Sequence, residues 1–510
     1  MYNAHGWINL RINPNIIENT NKDTIDYDDL YDKLVEKHKE IIISELEKIS
    51  KEDFWIKYQI SSCNNFYNFL TIQYSRNHKS DLIIDFYKFV AENGDSSHGL
   101  LYVVDDESEN FNEEKPYRVY RLIGNNFEEV DLAILGAGCA GLSLARELAL
   151  RGVKQSVLIL EPRQEYEDDR SWCFWSKRKE DLSDELAPLV SHSWPRWAFG
   201  LLGKTQESRS CQDVYYHFVR SVDFYKNCLA TLEKCASIQL RMGLSVTGLT
   251  RHEKGWFVQC SDGNYIAKQV VDTRPPQSSL IEQSTMFQCF MGVELKLDHL
   301  VSTDESEVEL MTQMHVDNNT FCFNYVLPYS QDRLLAEVTL FADTPLSPQK
   351  LQTKLDQMLE NRGWQKQVTL RREYGILPMG LPAIESSSDS LPVQAGMRGG
   401  ALRPSSGYGF MRIQRWASLC AQQYCNTGQL LPQVTSGFWV QLMDRIFLNV
   451  LKMEPQLTPK LFYRLLYKLP PDRFVRFMND QASFYDCVCV MACLPKTPFL
   501  KALFRLVLKP

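Results

Sequence analysis

The sequence lacks long apolar runs and clustered cysteines. No stretch of about 18 uncharged apolar residues occurs, so we predict no membrane-spanning helix. The first residues lack the basic start and apolar stretch of a secretory signal, which predicts a cytoplasmic chain. The 14 cysteines are scattered, and Cys487 and Cys489 have the wrong spacing for a redox pair. We therefore expect reduced thiols and no metal site.

Repeats, low-complexity tracts and a Gly/Ser/Pro-rich linker are also missing, yet the composition changes near residue 130. Asparagine occurs 15 times in residues 1–130 and 9 times in 131–510, whereas glutamine occurs 2 and 26 times. This shift indicates two sequences of different ancestry joined end to end. We predict two domains, 1–130 and 131–510.

Charge divides the chain in the same way. Residues 1–130 have 24 acidic and 14 basic side chains, a net charge of −10. The last segment, 444–510, has 5 acidic and 11 basic side chains. An acidic head and a basic tail predict different partners for the two ends.

The N-terminal part has the pattern of a small α+β domain. Apolar residues at helical spacing predict helices over 27–49 and 82–91. Alternating or apolar runs predict strands over 6–12, 66–73, 100–104 and 117–123.

Three separated motifs stand out in this part: His5-Gly6-Trp7, Tyr74-Ser75-Arg76-Asn77-His78, and the segment from Ser96 to Glu107. Together they resemble a family of small immunity proteins from bacterial polymorphic toxin systems, over residues 3–129. The resemblance implies a binding module that neutralises a toxin. An acidic surface suits a basic toxin such as a nuclease, with no nucleic-acid partner for this chain itself. The alternative is that the acidic residues form only a solvated face.

A glycine-rich turn follows the apolar strand 131–135. Gly136 permits a tight turn, Gly138 permits close approach of a phosphate to the backbone, and Gly141 permits close packing of helix on strand. A helix over 142–151 and a second strand over 157–160 follow, and Glu161 comes 20 residues after Gly141. An acid at this position binds ribose hydroxyls, so the whole pattern predicts a dinucleotide site.

Later segments favour FAD as the dinucleotide. They are a strand ending at Asp272, a strand and loop containing Gly396, and a helix entry containing Pro404, Gly407 and Gly409. In flavoprotein hydroxylase-like folds such a late glycine segment closes the FAD site, with a helix N-terminus facing the flavin. The alternative for Gly407 and Gly409 is a plain helix-entry turn. We predict an α/β fold: an FAD-binding, Rossmann-like domain with an inserted β-rich substrate domain near 280–380 and a helical C-terminus over 438–510.

Further motifs run through 131–510: Asp169-Arg170-Ser171-Trp172-Cys173-Phe174-Trp175, Trp194, Phe290-x-Gly292-x-Glu294, Tyr325 to Ser330, Arg333 to Thr339, Gly375-x-Leu377-Pro378 and Arg403 to Tyr408. In order and spacing they resemble the FAD-dependent lycopene cyclases of carotenoid synthesis. The resemblance places Glu337 on the family's catalytic glutamate and Glu294 on a second acidic position, and it adds Arg170 to the cofactor-binding residues. It implies FAD in its reduced form, NAD(P)H as the electron source, and lycopene or a related linear carotenoid as substrate.

Ring closure of a pure hydrocarbon must begin with protonation of a terminal C=C bond. The acid must therefore be neutral, and an apolar pocket raises a carboxyl pKa in that direction. Glu337 has apolar neighbours in sequence, and Trp172, Trp175 and Tyr325 are candidates to hold the carbocation. The alternatives are an ion-paired Glu337 at a strand edge, a solvent-facing Glu294 and tryptophans that only pack the core.

Two positions depart from the family's pattern. Val338 stands where an Asp usually follows the catalytic glutamate, and Arg403 begins a segment that usually reads His-Pro-Thr-Thr-Gly-Tyr. Another flavin-dependent monooxygenase or reductase on an apolar substrate, or an immunity protein with an inactive flavin module, are the alternative functions.

The tail over 438–510 is basic and apolar. For a substrate dissolved in lipid, such a tail predicts peripheral contact with the inner membrane face. The alternative is an ordinary helical lid.

Overall fold

The chain forms two compact units, Met1–Glu129 with Phe257–Ile266, and Val130–Trp256 with Ala267–Pro510. The structure is a computed structural model. It describes residues 2–10, 27–63, 67–77, 80–93, 97–105, 117–123, 128–260, 263–298, 304–382 and 391–508.

The first unit contains an antiparallel sheet of five strands and two helices. The strands are β1 (Tyr2–Leu10), β2 (Ile56–Cys63), β3 (Tyr67–Arg76), β4 (His98–Asp105) and β5 (Tyr117–Ile123), in the order β2-β3-β1-β4-β5. The helices are α1 (Tyr27–Glu52) and α2 (Leu82–Asn93). Alternate residues of β1, such as Ala4 and Ile8, are buried against Leu46 of α1 and Ile83 of α2.

The sequence prediction missed β2, although its apolar residues alternate with polar ones. The predicted strand over 6–12 is β1, whose described part ends at Leu10. Residues 11 and 12 lie outside the described residues, as do His78, Ser96, Asp106 and Glu107 of the motifs.

A seven-stranded sheet contains the strand that leads into the glycine loop. Its strands are β6 (Glu128–Leu135), β7 (Val157–Glu161), β13 (Ile238–Met242), β14 (Val246–His252), β15 (Gly255–Cys260), β16 (Asn264–Asp272) and β22 (Val393–Gln394). The order is β13-β7-β6-β16-β15-β14, with β22 beside β16. Strands β6, β7 and β13 are parallel neighbours. Helix α3 (Cys139–Leu150) packs against α4 (Ser221–Leu232) and α7 (Phe410–Thr427). Parallel strands joined by a covering helix are the Rossmann-like arrangement predicted.

A second sheet of seven strands forms the β-rich part. Its strands are β10 (Arg196–Leu201), β11 (Glu207–Ser210), β17 (Met286–Lys296), β18 (Glu307–Asp317), β19 (Thr320–Ser330), β20 (Arg333–Ala342) and β21 (Val368–Met379), in the order β11-β10-β18-β19-β20-β17-β21. A sheet of three strands stands apart, β8 (Ser171–Ser176), β9 (His192–Trp194) and β12 (Tyr215–Arg220), with β12 in the middle.

The two faces of the large β-rich sheet have different neighbours. Val338 and Leu340 of β20 pack in an apolar core with Leu351 of α6 (Pro348–Asn361). Glu337 and Thr339, which alternate with these two residues along β20, line a cavity. Because side chains alternate along a strand, the cavity lies on the face opposite α6.

The C-terminus is helical, as predicted. Its helices are α8 (Phe438–Met453), α9 (Thr458–Lys468), α10 (Pro471–Met478), α11 (Phe484–Cys493) and α12 (Lys496–Leu508); the one-turn helix α5 (Ser278–Ile281) precedes β17. Among the described residues, no single helix has the length and apolar content to cross a bilayer. The pair Phe484–Cys493 and Lys496–Leu506 has them jointly, with a bend of 113° between the two helices.

Candidate active site

The glycine loop between β6 and α3 is closed by contacts that only glycine permits. Gly136 has a φ of +93°, and its carbonyl accepts a hydrogen bond from Thr273 Oγ1 at 2.8 Å. A Cβ on Gly141 would lie 2.0 Å from the Gly136 carbonyl oxygen. A Cβ on Gly138 would meet no atom within 4 Å, because this residue faces open space that belongs to the cavity.

Helix α3 begins at this open space. Gly138 is its N-cap, and no side chain caps the helix, so the N–H groups of the first turn are available to an anion. Glu161 lies beside them: its carboxylate accepts hydrogen bonds from the Ala137 N–H at 2.6 Å and from Arg163 Nε at 2.8 Å. These groups have the chemistry that a dinucleotide requires, a phosphate cradle next to an acid.

A second helix entry lines the same cavity. Gly409 is the N-cap of α7, again without a side-chain cap. Gly407 has a φ of +72°, and Gly396 has a φ of +65° and lies against Ala140 of α3. Asp272 is buried outside the lining and accepts hydrogen bonds from Arg274 Nη2 at 2.8 Å and from Arg398 Nη1.

One cavity of about 1410 Å³ joins the glycine loop to the β-rich sheet and the C-terminal helices. At the glycine end its wall is polar backbone and charged side chains. At the far end it is apolar, with residues such as Phe462, Leu465, Val490 and Phe499. A dinucleotide at one end would therefore leave an apolar chamber for a second molecule at the other.

Two carboxyl groups face each other in the middle of this cavity. Glu337 on β20 and Glu373 on β21 are both cross-strand neighbours of Gly292 on the intervening strand β17. A Cβ on Gly292 would lie 3.2 Å from Glu337 Cβ and 3.2 Å from Glu373 Cγ. The absence of a side chain at Gly292 thus lets the two carboxyl groups meet across it.

A buried chain of alternating charges holds Glu373. Arg371 donates hydrogen bonds to Glu373 at 3.0 Å and to Glu294 at 3.2 Å, and Arg333 Nε donates to Glu294 at 2.6 Å. At the other side of Arg371, Asp168 lies 3.5 Å from Arg371 Nε and accepts from Arg220 Nε at 3.1 Å. Three carboxylates and three guanidinium groups therefore balance within this described network.

That balance leaves Glu337 without a cation of its own. Burial raises the pKa of its carboxyl well above the usual range, and the charge of neighbouring Glu373 raises it further. The hydrogen bond that Glu337 accepts from Thr339 Oγ1 at 2.7 Å and the charge of Arg371 act in the opposite direction. Burial and the charge of Glu373 therefore both favour the protonated form of Glu337.

Aromatic residues surround the carboxyl pair. Tyr325 is the cross-strand neighbour of Glu337 on β19, and its hydroxyl donates to Cys173 Sγ at 3.1 Å. Tyr216 OH lies 3.0 Å from Tyr325 OH and 2.7 Å from Tyr408 OH. Burial raises the pKa of all three phenols, so this wall carries no negative charge of its own.

The site residues predicted from the sequence do not all line the cavity. Those that line the cavity are Gly136, Gly138, Glu161, Arg170, Gly396, Gly407, Gly409 and Glu337, with Trp172, Trp175 and Tyr325. Gly141, Asp272, Pro404 and Glu294 are outside its described lining. Glu294 is buried and ion-paired rather than solvent-facing, so the structure places it behind Arg371 and not beside a substrate.

The two departures from the family pattern also lie outside the lining. Val338 packs on the α6 face of the sheet. Arg403 is fully buried, lies over the Phe477 ring at 4.1 Å, and is ion-paired with Asp444 of α8 at 3.3 Å. Val338 faces away from the cavity, whereas Arg403 lies behind the lining residues Asp444 and Phe477.

Glu373 and its partner Arg371 were missed by the sequence prediction. Glu373 lies only two residues before the motif Gly375-x-Leu377-Pro378, which is a weak signal on a strand with several charged residues. What identifies Glu373 is the register between β17 and its two neighbours, and a single sequence does not contain that register.

Comparison with known proteins divides the chain at the same place as its composition. The family model described as Lycopene cyclase protein matches residues 131–504, and the model described as Immunity protein 7 matches residues 1–134. The first match spans well over half of the chain.

Curated relatives match the same part. The lycopene beta-cyclase of Pantoea ananas is 26% identical over 396 residues, which cover 73% of this chain and 97% of that protein. The neoxanthin synthase of Solanum lycopersicum is 22% identical, covering 72% of this chain and 78% of that protein. Among solved structures, a geranylgeranyl bacteriochlorophyll reductase-like protein from Thermoplasma acidophilum is 15% identical with a TM-score of 0.47, covering 75% of this chain and 100% of that one.

The family match covers the same part of the chain as the motifs of residues 131–510 and the Rossmann-like sheet. Residues 1–134 add a segment that matches the model described as Immunity protein 7. By its larger part, the chain belongs to the lycopene cyclase family.

Proposed function

We propose that residues 131–510 cyclise the ends of lycopene by acid–base catalysis, with Glu337 as the acid. The observation that carries this proposal is a buried carboxyl group with a raised pKa on the wall of a largely apolar cavity, with no cation paired to it among the described residues. Such a group can donate a proton to a C=C bond that offers no other chemical handle. The apolar wall excludes water, which would otherwise add to the carbocation.

The aromatic wall stabilises the positive charge that follows protonation. Tyr325 is the cross-strand neighbour of Glu337, and the ring of Trp175 lies 4.6 Å from that of Tyr216. The faces of such rings attract cations by about 0.5–2 kcal/mol each. Their neutral hydroxyl groups remain bonded to one another and do not compete for the proton.

Expression in bacteria that accumulate lycopene tests this proposal. The wild-type chain is expected to convert lycopene into ring-bearing products, and Glu337→Gln is expected to leave it linear with the protein still folded. Pigment chromatography measures both. Linear lycopene with the wild type, in cells where the protein is soluble and carries flavin, would reject the proposal. Substrate-dependent, stoichiometric consumption of NAD(P)H would instead identify a monooxygenase or reductase.

FAD is the proposed cofactor, held by the glycine loop, the first turn of α3, Glu161 and the second helix entry. When bound in its reduced form, FAD supplies an electron-rich surface beside a cationic reaction centre; NAD(P)H is the proposed source of its electrons.

Two glycine variants, Gly138→Ala and Gly141→Ala, separate the effect on cofactor binding from the effect on folding. Both should abolish flavin uptake, measured by absorbance. Only Gly141→Ala should also lower stability, by about 1–3 kcal/mol, since only its Cβ collides with backbone.

The C-terminal helices are proposed to contact the inner membrane face. Phe484 and Phe504 are 79% and 64% exposed, and Met491 and Leu500 are exposed while also lining the cavity. An apolar surface that continues into the cavity gives a lipid-dissolved substrate a route inward. Lys496 and the other basic residues of α12 suit anionic headgroups.

Sedimentation with anionic lipid vesicles measures this contact. The double variant Phe484→Ser, Phe504→Ser should bind vesicles at least about tenfold more weakly, since two large apolar groups no longer enter the bilayer. Leu202→Ser is the matched control, because Leu202 is 56% exposed but lies outside these helices. Equal sedimentation of both variants would contradict a membrane role for α11 and α12.

The N-terminal unit is proposed to bind and neutralise a toxin. Its match to Immunity protein 7 and the net charge of −10 over residues 1–130 support a basic partner. The full chain should protect bacteria that produce a toxin paired with Immunity protein 7 relatives. Glu337→Gln should protect equally well, because catalysis and binding use different cores. Loss of protection in that variant would show that the two functions are not separable.

A further inference from the structure

We propose that Glu373 is a second catalytic residue: its carboxylate accepts the proton released from the newly closed ring and returns that proton to Glu337. This inference rests on the cyclase function proposed above. It assigns the base of the reaction, for which neither the sequence motifs nor the family match supplies a residue.

The position of Glu373 meets the first requirement of a base, which is access to the same substrate as the acid. Both carboxyl groups line the cavity, and both are cross-strand neighbours of Gly292. The register across this glycine brings the two carboxyl groups close enough to share a hydrogen bond when one of them is protonated. A proton can therefore pass between them without entering solvent.

The partners of the two groups differ in a way that assigns their roles. Glu373 accepts hydrogen bonds from Ser171 Oγ at 2.7 Å and from the Arg371 guanidinium at 3.0 Å. Glu337 accepts one from the neutral hydroxyl of Thr339. A paired cation stabilises a carboxylate, whereas an apolar wall stabilises a carboxylic acid. The Arg371 contact thus suits Glu373 to the role of proton acceptor, and the setting of Glu337 suits it to the role of proton donor.

The resulting cycle balances in protons and electrons. Glu337 donates its proton to the terminal C=C bond, whose π pair forms a C–H bond and leaves a carbocation. The π pair of a second C=C bond of the same chain then forms the C–C bond that closes the ring, and the positive charge moves to the other carbon of that second bond. A C–H bond beside the ring cation then breaks, and its electron pair becomes the ring C=C bond while the proton moves to Glu373. Transfer of that proton across the shared hydrogen bond restores the neutral Glu337 and the charged Glu373. No oxidant or reductant is consumed.

A structural role for Glu373, as a mere partner of Arg371, is the alternative. Glu309 offers a matched control, because its carboxylate binds Arg362 at 2.6 and 2.9 Å on the same sheet but does not line the cavity. Glu309→Gln removes a comparable ion pair and should leave ring formation within about twofold, since surface-near pairs contribute little.

Glu373→Gln should slow ring formation by about 100-fold or more, the contribution of a general base. Flavin content should be unchanged, and the products that do form should differ in ring double-bond position or carry a hydroxyl group from water. Glu373→Asp, which keeps the charge but moves it back by one methylene group, should recover activity to about a tenth of the wild type with an altered ratio of ring isomers.

These outcomes separate the inference from the function on which it rests. Linear lycopene with the wild type overturns both. Rings with the wild type, and the same rate and isomers with folded Glu373→Gln, overturn only the role of Glu373. If Glu373→Gln fails to fold or to take up flavin, Glu373→Asp decides: a wild-type rate and isomer ratio from this variant reject the inference.

Discussion

Glu337 is a buried carboxyl group whose charged neighbours are already paired with one another. This explains why the pKa of this carboxyl group is raised well above its usual value of about 4.5. Its identity as an acid was readable from the sequence motif, but its raised pKa depends on burial and on the charge of Glu373, which Arg371 pairs with. Those two residues lie on a different strand, and their approach depends on folding.

The raised pKa of Glu337 has a consequence for stability. In the unfolded chain this group loses its proton above about pH 4.5, while in the folded chain it keeps it. The stabilising contribution is therefore complete below pH 4.5 and is lost as pH rises toward the folded-state pKa, by up to about 1.4 kcal/mol per pH unit.

Glu337→Gln removes this loss of stability with rising pH. The variant should gain stability relative to the wild type as pH rises from 5 to 8, measured as the difference in denaturant midpoints at each pH. A difference independent of pH would mean that Glu337 is ionised in the folded protein.

At the scale of the element, strand β17 sets the distance between the two carboxyl groups. Gly292→Ala places a methyl group 3.2 Å from atoms of both side chains, so one of them must move by a few tenths of an ångström. We expect ring formation to fall about tenfold or more, since catalysis is sensitive to such displacements. The loss of stability should be about 1 kcal/mol.

Gly200→Ala is the control for this prediction. Gly200 lies on β10 of the same sheet, where a Cβ would lie 3.3 Å from Gln206 Cα, outside the cavity lining. It should show a similar change in stability without the change in activity. Equal activity in the two variants would mean that the spacing across Gly292 is unimportant.

The elements themselves were largely predictable from the sequence, because their signals are local. The glycine loop, the strand before it and the helix after it follow from residue type and spacing alone, as do helices α1 and α2. Strand β2 was missed, and so was the pairing of β17 with both β20 and β21. Strand pairing joins residues far apart in sequence: Gly292 pairs with Glu337, 45 positions away, and with Glu373, 81 positions away. No local sequence pattern therefore reports this pairing.

At the scale of the whole molecule, the two units have separate apolar cores. We therefore expect two unfolding transitions. Added FAD should raise only the one that belongs to residues 130–510, by about 2.7 kcal/mol at a free concentration 100-fold above its Kd. Calorimetry with and without FAD measures this shift. A single transition that moves as one with FAD would show that the units unfold together.

Val338 and its neighbours have a practical consequence for recognising active relatives. Val338 packs against the apolar residues of α6, whereas Glu337 and Thr339 line the cavity. A sequence signature that demands an acidic residue at 338 would discard chains like this one; a discontinuous signature of Glu337, Thr339, Gly292 and Glu373 would retain them.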